Sequence, residues 1–170
     1  MNGNGANGVT DTQPRVTVGV QYLKDLSFES PNAPMSFNEM ETRPEIGIDL
    51  NVEARPLQEN QFEVVLHVTA RAKRSETVLF LVELSYGAVV SVPPLPDEFR
   101  SRVIGSEVPK LLFPFARSII ANAVRDGGFP PFLIDPIDFD ALFERAAAAQ
   151  ADEQKQEADG QPMREKGGAD

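Results

Sequence analysis

The sequence predicts an α+β domain, a four-stranded antiparallel sheet with two C-terminal helices packed on one face. Three observations predict it. Four segments in the first half alternate apolar and polar residues with period two. The second and third carry mostly polar residues on their other side, as a sheet with one buried face requires. Two stretches with apolar residues at helical spacing then follow the last strand.

Val16, Val18, Val20 and Tyr22 share one face of the first strand, and Ile46, Ile48, Leu50 and Val52 one face of the second. Phe62, Val64, Leu66 and Val68 repeat the pattern, as do Val78, Phe80, Val82, Leu84 and Tyr86. Opposite them stand Glu45, Asp49, Asn51 and Glu53, then Glu63, His67, Thr69 and Arg71. The Ala72-to-Glu76 connection has hairpin length. About twenty residues with Pro31, Pro34 and Pro44 separate the first two strands, and so long a loop in a compact domain is usually functional. The fourth strand departs from its own pattern. Leu79 and Leu81 fall on its polar side next to Glu83, so they are either covered locally or form an exposed apolar patch.

Lys110 to Asp126 reads as a helix with two apolar stripes, Leu112, Phe115, Ile119 and Ala123 on one side and Phe113, Ile120 and Val124 on the other. Gly127 and Gly128 stop it, and Pro130-Pro131 prevent its resumption. One stripe covers the sheet; the other needs a further partner. The last helix starts at Asp138, a candidate N-cap, and runs from Phe139 through Leu142 and Phe143 to Ala149, with Asp140 complementing the macrodipole.

Residues 1–13 are polar and glycine-rich, which predicts a disordered arm with no signal-peptide core. Residues 151–170 are dominated by charged, Gln and Gly residues and predict a disordered acidic tail, leaving the fold to residues 14–150. A net charge of −10 argues against nucleic acid and favours basic partners. Cysteine is absent, and no apolar run reaches the roughly 20 residues of a membrane span. The simplest reading is a soluble cytoplasmic protein.

Catalytic chemistry is hard to find. The single histidine, His67, faces the polar side of a strand, and neither a nucleophile elbow nor a phosphate-binding glycine loop is present. Asp135, Asp138 and Asp140 could bind a metal, but capping and dipole compensation explain Asp138 and Asp140 without one. A metal-dependent enzyme stays a remote alternative; no cofactor is implied. What is left is surface. Met35, Phe37 and Met40 on the long loop either fill a core beneath it or line an adaptable apolar groove, for which flexible thioethers among aromatics are suited.

Three blocks carry a family resemblance: Lys24-Asp25-Leu26-Ser27-Phe28-Glu29-Ser30-Pro31-Asn32-Ala33-Pro34, Leu112-Phe113-Pro114-Phe115-Ala116-Arg117 and Pro136-Ile137-Asp138-Phe139-Asp140-Ala141-Leu142-Phe143. In order and content they resemble SecB, the bacterial protein-export chaperone family. The Val92-to-Arg102 segment, rich in Pro and Arg, departs from the family pattern. The resemblance implies an ATP-independent holdase, a dimer of dimers that binds unfolded secretory precursors and hands them to the translocation motor SecA. A holdase of the same fold uncoupled from export is the alternative. Carried over by position, the motor-docking residues are Asp25, Glu29, Leu81 and Glu83. The groove for unfolded polypeptide would comprise Met35, Phe37, Ile46, Ile48, Leu50, Phe139, Leu142 and Phe143. Phe113, Ile120 and Val124 would meet another protomer in the homotetramer.

Overall fold

The computed structural model describes residues 15–39 and 43–159. The 1–13 arm, Met40 and the part of the expected tail from residue 160 onward lie outside the described residues. The elements are β1 (Thr17–Glu29), a short 3₁₀ turn (Met35–Glu39), β2 (Glu45–Gln58), β3 (Gln61–Arg74), β4 (Thr77–Ser91), α1 (Asp97–Arg102), a π-helical turn (Val103–Glu107), α2 (Val108–Asp126) and α3 (Phe139–Asp159). The strands form one antiparallel sheet in the order β1-β4-β3-β2, so the two strands flanking the long loop lie at opposite edges.

The register turns the period-two pattern into a layer. Val68 lies opposite Leu84 on β4 and Leu50 on β2, and Ala70 lies opposite Val82 and Ile48. These rows share the helix-bearing face, where Val64, Leu66, Val68, Val82 and Leu84 are buried against Leu112, Ala116, Ile120 and Val124 of α2. Each of these Val, Leu and Ile side chains contributes about 1.5–3 kcal/mol by leaving water.

β1 does not keep one face as its alternation predicts. Val18 opposes Val90 on the helix-bearing face, but Tyr22 opposes Gly87 on the outer face, because the register shifts between Val18 and Gln21 and again between Leu23 and Asp25. Each irregularity sets an extra residue against the partner strand and reverses the side-chain direction beyond it. The tyrosine ring then lies over Gly87, where a Cβ would come within 2.8 Å of it.

That reversal brings Tyr22 to Glu63, which is 4% exposed. The carboxylate accepts hydrogen bonds from Tyr22, from Lys24 at 3.0 Å and from Arg55, linking β1, β3 and β2 across the outer face. The Tyr22 and Lys24 hydrogen bonds outweigh the cost of burial and lower the Glu63 pKa from 4.5 to about 2. A depressed carboxylate contributes stability above its unfolded pKa and loses it as pH falls through the folded one. Stability is therefore expected to fall between pH 4.5 and about 2. Glu63→Gln should cost roughly 1–3 kcal/mol at pH 7 and flatten that acid limb, read by urea unfolding at several pH values.

The helical region starts earlier than its apolar stripes predict, at Asp97 rather than Lys110. Pro96 precedes the first turn with a φ of −53°, and Asp97 and Glu98 complement the macrodipole there. α1, the π turn and α2 follow without a break. At the other end, α3 continues to Asp159 instead of giving way at residue 151, in keeping with the helix propensity of its Ala, Glu, Gln and Lys residues. Asp138 caps it as predicted, accepting the Ala141 N–H at 3.0 Å.

Candidate functional site

Three surfaces stand out, and each draws on different elements. The first is the outer face of β1 and β4. Glu29 lies directly opposite Leu81, Ser27 opposite Glu83 and Asp25 opposite Ser85, so Asp25, Glu29, Leu81 and Glu83 form one group over adjacent strands. The three carboxylates are exposed and Leu81 is half-buried among them. Ser27 Oγ lies 3.5 Å from Glu83, a weak contact that leaves the carboxylate available. Leu79 behaves differently and is 4% exposed. The loop after β1 is tied down beside it, Ser30 Oγ donating to the Leu79 carbonyl and Asn32 Nδ2 to the Val78 carbonyl.

The second is an open groove of about 550 Å³ between β2 and α3. One wall is β2, with Leu50, Val52, Ala54 and Pro56; the other is α3, with Leu142, Phe143, Ala146 and Ala147. Ile104 and Gly105 of the π turn and Arg100 and Ser101 of α1 close a further side. Gly105 admits the Phe143 ring, since a Cβ there would come within 2.5 Å of it. The start of α3 is fixed by Asp140, whose carboxylate accepts from Lys110 at 2.8 Å, Ser106 at 2.7 Å and Arg102 at 3.3 Å. The Lys110 and Ser106 hydrogen bonds hold its pKa below the usual carboxylate range. Asp140 is thus a clamp as well as a first-turn acid. Among the described residues no His, Cys, Asp and Glu side chains gather as a metal site.

Of the eight residues expected in the groove, Leu50, Leu142 and Phe143 line it. Ile46 and Ile48 lie farther along the same face of β2, with Ile46 41% exposed. Phe139 is inaccessible at 1% exposure, edge-to-face with Phe113 at 5.6 Å, because the first turn of α3 anchors the helix in the core. Met35 and Phe37 belong elsewhere. Phe37 packs at 4.9 Å on Phe129, which lies 5.1 Å from Phe80, and Phe28 and Phe132 complete this aromatic cluster. Met35 is 70% exposed on the same 3₁₀ turn. The π-turn and α1 walls escaped sequence reading because the Pro- and Arg-rich segment had no helical assignment.

The third surface corrects the reading of α2. Phe113, Ile120 and Val124 face the chain's own core, at 6%, 0% and 0% exposure, and cannot offer a free face. The accessible apolar residues are Leu111 and Phe115, at 51% and 50%. Phe115 stacks on Tyr86 at 6.2 Å, and Tyr86 pairs across the strands with Leu23. Exposed Leu23, Leu26 and Val20 of β1 extend this patch to the sheet edge.

Comparison with known proteins returns one consistent answer. The sequence model of the family described as "Preprotein translocase subunit SecB" matches residues 9–150. The protein-export protein SecB of a Bradyrhizobium species is 48% identical over 153 residues, covering 88% of this chain and 94% of that protein. Its counterpart in Rhodopseudomonas palustris is 49% identical over 150 residues, covering 88% and 95%. Among solved structures, a SecB-like chaperone of Mycobacterium tuberculosis, in complex with a peptide from an antitoxin, superposes with a TM-score of 0.62. That match covers 72% of this chain and 91% of the other at 12% identity, a likeness of fold.

Proposed function

The chain belongs to the SecB family, and on that premise we propose how its three surfaces divide the work of an export chaperone. SecB proteins are chaperones of protein export and not enzymes, and this chain is one of them, binding unfolded client proteins. The finer reading is an ATP-independent holdase that works in the cytoplasm. It takes unfolded secretory precursors and passes them to the motor SecA. Among the described residues no helix is long and apolar enough to cross a membrane, which suits this role.

The single observation that carries the client-binding reading is the apolar groove beside an edge strand. Among the described residues β2 pairs on one side only, with β3, so its other edge offers main-chain donors and acceptors to an extended chain. The groove supplies apolar area without a fixed sequence code, so unfoldedness matters more than sequence. A folded protein presents neither a free strand nor contiguous apolar side chains.

Asp25, Glu29 and Glu83 would steer a basic segment of SecA to the outer face, with Leu81 as a small apolar anchor. Groove and acids lie on opposite faces of the sheet, so client and motor can be engaged together. The patch of Leu111, Phe115, Leu23 and Leu26 would pack against further copies in a homotetramer, a dimer of dimers.

Leu142→Asp tests the groove. A charge in an apolar wall should weaken binding of an unfolded, dye-labelled precursor about 10–100-fold in anisotropy titrations, with the oligomer unchanged. Unchanged affinity would move the client site elsewhere.

A further inference from the structure

The docking acids occupy only the β1 and β4 half of the outer face. Strand pairing carries their rows on across the sheet. Glu29 and Leu81 continue to Arg71 on β3 and Gly47 on β2, and Ser27 and Glu83 continue to Thr69 and Asp49. A Cβ at Gly47 would meet nothing within 4 Å, and an open hollow of about 450 Å³ lies there. Glu45, Gly47, Asp49, Thr69, Arg71 and Lys73 line it. Alternate residues of a strand share a face, so the hollow opens on the same side as Leu81 and Glu83.

Arg71 is the informative side chain. Of the cations on this face, Lys24 and Arg55 are committed to Glu63. Arg71 is exposed and, among the described residues, makes neither an ion pair nor a hydrogen bond, although Glu83 and Asp49 stand one row away. Its planar fork of five N–H donors is open to a partner. A cation among docking acids penalises a uniformly basic segment and favours one that carries an acid at the matching place.

We propose that Arg71 is a specificity-determining residue of the motor-docking surface. It receives an Asp or Glu side chain of the docking segment, seated in the hollow over Gly47. This rests on the reading of Asp25, Glu29, Leu81 and Glu83 as that surface. Neighbouring strands lie about 4.8 Å apart, so the segment carries its acid roughly 10 Å from the basic group that meets Glu29. Lys73, opposite Glu45, offsets that carboxylate at the far end of the hollow.

Two variants test this with SecA as the probe. Arg71→Gln removes the charge and keeps a polar side chain. Gly47→Val fills the hollow and suits an extended strand better than glycine does. Each should bind SecA about 3–10-fold more weakly by calorimetry at about 0.15 M salt, with client binding and thermal unfolding unchanged. Oligolysine, a purely basic probe, should respond to Arg71→Gln with the opposite sign and bind about 2–5-fold more tightly. A merely structural role for Arg71 would weaken both. SecA affinity within twofold of wild type in either variant, or oligolysine weakened alongside SecA, would overturn the proposal. SecA binding that survives Asp25→Ala with Glu83→Ala would show the docking reading itself to be wrong, and the proposal would fall with it.

Discussion

Leu111→Asp combined with Phe115→Asp is expected to break the proposed tetramer into smaller species while leaving each chain folded. Both side chains are about half exposed, at 51% and 50%, at the border of the α2 face on which Leu112, Ala116 and Ile120 fill the core. The helix therefore keeps its internal packing. What changes is the continuous apolar surface that runs from Phe115 across Tyr86 to Leu23 and Leu26 of β1. Burying two uncompensated carboxylates in a protomer contact costs several kcal/mol, more than a contact of moderate strength supplies. Light scattering should fall from a particle near four times 18.6 kDa to one or two copies, with cooperative thermal unfolding retained. A tetramer that survives both changes would show that this patch is not the protomer contact. The same experiment on Ile120 would be uninterpretable, since Ile120 is fully buried and an Asp there would unfold the chain.

Asp25→Ala with Glu83→Ala should abolish the proposed binding to SecA and leave client binding intact. The two carboxylates flank the Ser27 and Ser85 positions on neighbouring strands, and Glu29 and Leu81 continue the surface by one further pair. None of the three acids is held by a strong internal ion pair, so their charge is available for steering and for contact. Truncating one partner of a charge pair that becomes buried and hydrogen-bonded in an interface typically costs about 2–5 kcal/mol, so the double variant should bind SecA roughly 100-fold more weakly or worse. Wild-type affinity for SecA should also fall as salt rises, and the variant should lose most of that dependence. Retained SecA binding would place the motor contact elsewhere. Loss of client binding in parallel would contradict separate sites on opposite faces of the sheet.

Much of this fold was legible because burial has a period. β3 keeps one face throughout, and β2 and β4 do so apart from one irregularity near an end of each, beyond Pro56 on β2 and between Phe80 and Val78 on β4. β1 escaped because an irregular register leaves no signature in composition: Val16, Val18, Val20 and Tyr22 alternate in sequence whether or not the pairing slips. The consequence was chemical, since only the reversed Tyr22 can reach Glu63. α2 failed for a different reason. Two apolar stripes on one helix are equivalent by periodicity, and only packing shows that Phe113, Ile120 and Val124 point inward and Leu111 and Phe115 outward. The docking residues were named by resemblance, and the β1–β4 register brings them together. The groove was legible in part: Leu142 and Phe143 line it, but Phe139, one turn earlier on α3, is core. Its α1 wall was hidden because the short segment after prolines 93, 94 and 96 carries no apolar helical stripe, although the last of them caps a helix.

Light scattering with a slow-folding precursor and no nucleotide shows whether this chain holds unfolded precursors as an assembly. The expected result is a particle near four times 18.6 kDa that gains the mass of the precursor when it is diluted from urea, and gains nothing from the same precursor already folded. A chain that takes up neither form, or that binds the folded form equally well, would contradict it.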